Sequence, residues 1–227
     1  MNILCLGCSW TSGLHIGDHK GFANSGEINW VRQIAKIMPE HNFYNFAFPG
    51  TSVMHSINVL HQSKKLLNFD KVIFQITNEG RYTYYKNLPH NFVSLDRVVQ
   101  ENKNYFYLDL TMDQVWNINF GVLNQKVFMR EEDKDRFSLA KMWYERFTST
   151  SNFCIEHKVS IEYLKSQVDL LFFHKKDCCF IDNVQTIQDQ ILNEKWNDYV
   201  IDDGCHFNLD GCIWQANFIK EKLFSVN

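Results

Sequence analysis

Alternating strand and helix patterns fill the first third of the chain, and this alternation constrains the fold more than any other feature. Residues 3–6 (Ile-Leu-Cys-Leu) form a continuous apolar run, the pattern of a strand covered on both faces. Trp30, Val31, Ile34, Ala35 and Met38 then recur at helical spacing until Pro39 stops the pattern. Residues 42–48 read as a second strand that ends at Pro49-Gly50-Thr51-Ser52, and Ser52 is placed to cap a helix carrying Val53, Ile57, Leu60 and Leu67. Residues 71–77 are a third strand, ending at Asn78-Glu79-Gly80-Arg81. Strand, helix, strand, helix, strand with short links is the signature of a parallel sheet with crossover helices. The expected architecture is α/β: a three-layer α/β/α sandwich around a small parallel sheet, in one domain over residues 1–227. Ligands bind such sheets at the strand carboxyl ends. Ser9, Gly50 and Asn78 should therefore share one rim.

The remainder is less regular. Residues 82–130 lose the alternation and carry many aromatics, among them Tyr82, Tyr84, Tyr85, Phe92 and Trp116. They read as an aromatic-rich insertion of irregular and short β structure near the active-site rim. From about 133 to 174 the pattern turns helical, as two helices separated near 149–152, with Ile161, Leu164, Val168, Leu171 and Phe172 on the apolar face of the second. Residues 178–182 are expected to be the fourth strand. A short amphipathic segment at 187–196 leads to Val200-Ile-Asp-Asp-Gly-Cys-His206, and a last helix from near Asn208 presents Leu209, Ile213, Ala216, Ile219 and Leu223 on one side.

Composition narrows the function. A net charge of −3 offers no electrostatic reason to expect nucleic acid or an anionic membrane as partner. The seven cysteines, at 5, 8, 154, 178, 179, 205 and 212, are odd in number and follow no disulfide-framework spacing, which points to free thiols in a reducing compartment. The N-terminal apolar run lacks a basic flank and is too short for a signal peptide or membrane span, so the expected location is cytoplasmic. Cys154/His157 and Cys205/His206 have no matching second pair for zinc, and no metal is expected. Neither GxGxxG nor GxxxxGK[ST] occurs, and Ser9 is not in a GxSxG elbow because position 11 is threonine.

The residues that carry chemistry lie at opposite ends. Gly7-Cys8-Ser9 directly follows the first strand and exposes a serine at its carboxyl end. Asp203 and His206 stand three apart just before a helix, close enough for the carboxylate to hold the imidazole in one orientation, the pairing that a nucleophilic serine needs. By themselves the turn also reads as an ordinary strand end, and the acid and histidine as a helix cap with a surface histidine.

Gly7-Cys8-Ser9, Asn45-Phe-Ala-Phe-Pro-Gly50-Thr-Ser, Thr77-Asn78-Glu79 and Asp203-Gly-Cys-His206-Phe-Asn-Leu occur in that order along the whole chain. This set resembles the four sequence blocks of the SGNH (GDSL-type) hydrolase family, with its flavodoxin-like fold. The resemblance implies Ser9 as nucleophile, His206 as general base and Asp203 as the residue orienting it. The implied oxyanion hole is the backbone N–H of Ser9, the backbone N–H of Gly50 and the side-chain amide of Asn78. A glycine at 50 lets the main chain approach an oxyanion, and an asparagine amide is a neutral donor. Two positions depart from the family pattern: Cys8 stands where an acid is usual, and Ile76-Thr-Asn78-Glu79 lacks the third block's glycine.

The expected activity is that of an esterase working through a Ser-His-Asp triad on small-molecule or carbohydrate esters, with small acyl groups such as O-acetyl as the preferred class and no cofactor. Arg81, Tyr82 and Trp10 are candidate substrate-binding residues. Arg81 suits a substrate carboxylate or sulfate, and a salt bridge to Glu79 or another acid is the competing reading. His15 and His19 lie on the loop after Ser9, either lining the mouth or solvated. Two other functions fit the same residues: a non-catalytic carbohydrate-binding protein on this fold, and an acyltransferase.

Overall fold

The computed structural model describes residues 1–13, 28–76, 81–85, 88–110, 114–119, 150–173, 185–191, 195–200 and 206–224. Among these, the strands are β1 (Asn2–Leu6), β2 (Asn42–Asn45), β3 (Lys71–Ile76), β4 (Arg81–Tyr85), β5 (Val98–Asn102), β6 (Tyr105–Leu108), β7 (Val115–Asn119), β8 (Leu170–Phe173) and β9 (Gln185–Thr186). The helices are α1 (Ser9–Ser12), α2 (Trp30–Ile37), α3 (Val53–Leu66), α4 (Thr150–Lys165), α5 (Trp196–Tyr199) and α6 (Leu209–Phe224). The protein is an α/β fold, and among the described residues its main sheet has seven strands in the order β5-β6-β2-β1-β3-β8-β9.

Side-chain alternation along β1 explains why helices cover both faces. Leu4 and Leu6 point into one core with Tyr44, Val72 and Phe74, where Val53, Ile57 and Leu60 of α3 and Ile161 and Leu164 of α4 close over them. Ile3 and Cys5 point into the other, with Phe43, Ile73 and Phe172, under Trp30, Val31 and Ile34 of α2 and Cys212, Ala216 and Ile219 of α6. This arrangement is compatible with three layers. Complete burial of each β1 leucine or isoleucine is worth roughly 1.5–3 kcal/mol, so the central strand is firmly anchored.

α2, which lies between β1 and β2 in sequence, covers one face of the sheet, and α3, between β2 and β3, covers the other. Chain leaving in opposite directions opens a crevice at the carboxyl end of β1, the switch point of a doubly wound sheet. Ser9 sits there.

Three expectations need correction. The sheet is mixed rather than parallel, because β5 runs antiparallel to β6 at one edge, with an irregularity between Gln100 and Asn102. Residues 98–108, read as part of an insertion, are thus two strands of the main sheet. β6 pairs in parallel with β2 through Phe43↔Tyr105, Tyr44↔Phe106 and Asn45↔Tyr107. Asn104 in the turn between β5 and β6 donates to the carbonyls of Ala35 (2.8 Å) and His41 (3.0 Å), tying the hairpin to the end of α2. The other part of that segment, β4 and β7, forms a separate two-stranded antiparallel sheet.

Finally, Leu171 and Phe172 belong to a strand and not to the helix expected there. The helix stops at Lys165, and Gln167 and Val168 donate back to the Leu164 carbonyl at 2.8 and 3.1 Å. Asp169 then fastens the chain to β3, its N–H bonding Val72 O (2.9 Å) and its carboxylate accepting from Val72 N (2.8 Å) and Lys71 Nζ (3.0 Å). The four apolar residues that follow enter the sheet as β8, paired with β3. The strand expected at 178–182 and the helix expected before 149 lie outside the described residues. No helix among the described residues is long and apolar enough to cross a membrane.

Candidate active site

The site begins where β1 leaves the sheet. Gly7 has a φ of +151°, and a Cβ there would lie 2.5 Å from Thr11 Oγ1 and 3.0 Å from the Gln75 carbonyl oxygen. Only glycine lets the chain pass this point. Cys8 is extended and accepts from the N–H groups of Thr11 and Ser12, both at 2.9 Å, so Ser9 opens a single helical turn that Gly13 closes in the left-handed region. The Ser9 N–H precedes the first closed hydrogen bond of that turn.

A buried polar network holds the turn from below. Thr11 Oγ1 bonds Gln75 Oε1 on β3, and the Asn45 side-chain amide on β2 donates to Thr11 O (3.0 Å) and to the Tyr105 hydroxyl (3.1 Å). Asn45 Oδ1 in turn accepts from Ala47 N at 3.3 Å. Asn29 Nδ2 reaches the same hydroxyl at 3.4 Å, and the Arg32 guanidinium, paired with Glu101, lies 5.0 Å over the Tyr105 ring. Burial pushes the Tyr105 phenol up to about 12, so it stays a neutral donor and acceptor in this network. Buried hydrogen bonds that join neighbouring strands in this way rigidify what they hold.

His206 arrives from the other end of the chain. Phe207 is buried against Trp196 of α5 (5.5 Å between rings) and bridges to Val200, while Asn208 N bonds Tyr199 O at 2.9 Å. The Asn208 side chain accepts from Gly211 N (2.9 Å) at the start of α6 and donates to Asp198 O (2.7 Å). With Phe207 and Asn208 pinned, the imidazole meets the serine: His206 Nε2 lies 2.8 Å from Ser9 Oγ. An imidazole nitrogen at that distance can accept the hydroxyl proton.

The Gly50 turn lies against the same corner. Phe48 N donates to Gly7 O (3.3 Å), and Thr51 Oγ1 bonds Phe48 O (2.7 Å) and reaches Gly7 O (3.5 Å). Gly50 has a φ of +71°. On the far side of this turn β4 docks on the first turn of α3, through Ser52 N to Thr83 Oγ1 (2.9 Å) and His55 Nδ1 to the Tyr85 hydroxyl (2.9 Å). The Trp10 ring lies 6.4 Å from the His206 imidazole, and the Arg81 guanidinium carbon lies 5.9 Å from the Trp10 ring.

Of the residues singled out in the sequence, Ser9, Trp10, Gly50, Arg81 and His206 are therefore gathered at one end of the sheet. Asn78, Glu79, Asp202, Asp203, His15 and His19 lie outside the described residues, and so do the side chains of Tyr82, Tyr84 and Trp116. No sequence pattern gave Thr11, Asn29, Gln75 or Tyr105 a place at the site, and Asn45 stood only at the start of a block. One signal was available: Gln75 interrupts the otherwise apolar run of β3. Cys5, Cys8 and Cys212 are buried free thiols, and the described residues contain no group of three His, Cys, Asp or Glu able to hold a metal ion. No protein-family model matches the chain, and no curated protein is similar enough to count as a relative.

Proposed function

We propose that this protein is a serine hydrolase of carboxylic esters, a divergent member of the SGNH (GDSL-type) class with that class's three-layer, flavodoxin-like architecture. The observation that carries this reading is the 2.8 Å approach of His206 Nε2 to Ser9 Oγ at the carboxyl end of the central strand. The order of the four sequence blocks supports it further.

In this mechanism Ser9 Oγ attacks the acyl carbon while His206 Nε2 takes the hydroxyl proton, and the carbonyl oxygen becomes an oxyanion. The N–H groups of Ser9 and Gly50 and the side-chain amide of Asn78 receive that charge. His206 returns the proton to the leaving alcohol, and water, deprotonated by the same imidazole, releases the acid and restores Ser9. Asp203 orients the imidazole through these steps. The preferred substrates are esters of small acyl groups, such as acetate on a sugar hydroxyl.

A fluorophosphonate probe tests the reading. It should add covalently to the peptide containing Ser9 in the folded protein, and Ser9→Ala should abolish the adduct. A chromogenic acetyl ester should be hydrolysed by the wild type and by neither Ser9→Ala nor His206→Ala. A folded wild type that takes up no probe and turns over no ester overturns the proposal.

A further inference from the structure

From the placement of Arg81 we infer that the ester substrate carries a carboxylate, bound by the Arg81 guanidinium beside the Ser9–His206 pair; this substrate class rests on the hydrolase reading above. Arg81 is the first residue of β4, fixed by its pairing with Asn119 of β7 and by the bond from Ser52 N to Thr83 Oγ1. Its guanidinium lies against the indole of Trp10, the residue that follows Ser9, and the same indole lies against the His206 imidazole. One aromatic side chain therefore links the cation to the reacting pair.

Arg81 Nε and Nη1 are shielded from solvent and have no hydrogen-bond acceptor among the described residues. Arginine is always charged and carries only donors, so each shielded N–H without an acceptor is a desolvation cost the fold has not offset. Among the described residues no carboxylate pairs with it, whereas the buried Arg32 pairs with Glu101. Native proteins seldom leave such donors unmatched, and an anion supplied from outside satisfies them. Trp10 offers a cation–π contact, which attracts the guanidinium without accepting its hydrogen bonds and leaves them available. At the rim of an ester-cleaving site, the anion that fits is a carboxylate on the acyl or the alcohol part of the substrate.

Two matched ester pairs separate those sources. The first is 4-nitrophenyl hemisuccinate against 4-nitrophenyl butyrate, with the carboxylate on the acyl part. The second is 4-acetoxybenzoate against phenyl acetate, with the carboxylate on the alcohol part. In at least one pair the ratio of kcat/KM, charged over neutral and corrected for spontaneous hydrolysis, should fall at least tenfold in Arg81→Gln and be partly restored in Arg81→Lys. Ratios that stay within twofold of wild type in folded variants for both pairs overturn the inference.

Binding to the non-reacting protein keeps this test independent of hydrolysis. Succinate and benzoate are titrated into Ser9→Ala and into the Ser9→Ala, Arg81→Gln double variant. At least one should bind the former at least tenfold more tightly. If no ester is cleaved but this difference holds, the hydrolase reading fails and the carboxylate site stands. If esters are cleaved and neither acid discriminates between the two proteins, the carboxylate site fails and the hydrolase reading stands.

Discussion

Ser9 and His206 are 197 residues apart in sequence, and their side chains meet at 2.8 Å between Oγ and Nε2. Each is brought there by a different device: the serine by a glycine-gated turn at the end of β1, the histidine by the capped start of α6. Neither device depends on the other. Replacing one side chain should thus leave the opposite half of the site in place.

That independence makes the first substitutions clean to interpret. Ser9→Ala and His206→Ala should each lower kcat by roughly 10³-fold or more while the melting temperature changes little. Asn78→Ala should cost about 10²-fold in kcat with KM nearly unchanged, since an oxyanion donor acts mainly in the transition state. Steady-state kinetics beside thermal melts checks all three. An active Ser9→Ala protein would remove the mechanism altogether.

The acid of the proposed triad can be assigned the same way. Asp203 is three residues before His206, and Asp202 is one residue further, so in extended chain their side chains point to opposite sides. Asp203→Asn should be the impaired variant, with a loss in kcat up to about 10⁴-fold, and Asp202→Asn should stay near wild type. If Asp202→Asn is the impaired one, the register of the acid is off by one.

Support beneath Ser9 should show up in kcat rather than KM. Asn45→Leu removes the donor to Thr11 O, a buried acceptor whose loss of a partner costs about 1–3 kcal/mol, and one of the donors to the Tyr105 hydroxyl, which keeps Asn29 Nδ2. A turn displaced by even a fraction of an ångström should lower kcat by roughly 10- to 100-fold with KM within about twofold. Gly7→Ala should be harsher, because its Cβ meets Thr11 Oγ1 and the Gln75 carbonyl at a backbone angle that alanine resists. Urea unfolding together with kcat and KM distinguishes a displaced turn from an unfolded protein.

What could be read from the sequence divides along physical lines. Strands β1, β2 and β3 were legible because each apolar run ends in a turn signal and a helical period separates it from the next. β8 was misread because Leu164, Val168, Leu171 and Phe172 also satisfy helical spacing, and no local pattern reports that Asp169 bonds to Val72. β5 was hidden by its polarity, Gln100, Glu101 and Asn102 being an exposed sheet edge whose place is set by Asn104 and β6. At the site, the serine and histidine were legible as residue types in ordered blocks. The Thr11–Gln75 and Asn45–Tyr105 contacts were not, since they join side chains across strands whose neighbours only the finished fold decides.

Acid should weaken the protein through a group away from the reacting pair. His55 is 2% exposed, stacked on Phe92 at 5.9 Å and bonded through Nδ1 to the Tyr85 hydroxyl. Burial draws its pKa from 6.5 down to about 3, so between those values the unfolded chain binds a proton that the folded protein excludes. The stability that neutral His55 contributes is whole above pH 6.5 and is lost as pH falls toward 3, at up to about 1.4 kcal/mol per pH unit. His157, drawn down by burial to about 4, adds a loss of the same sign over the upper part of that window. Urea unfolding at pH 7, 6 and 5 should show a falling midpoint in the wild type. His55→Phe should start less stable, having lost the Tyr85 bond, and should decline less steeply with acid. If both proteins decline in parallel between pH 6 and 5, the acid sensitivity lies in another group.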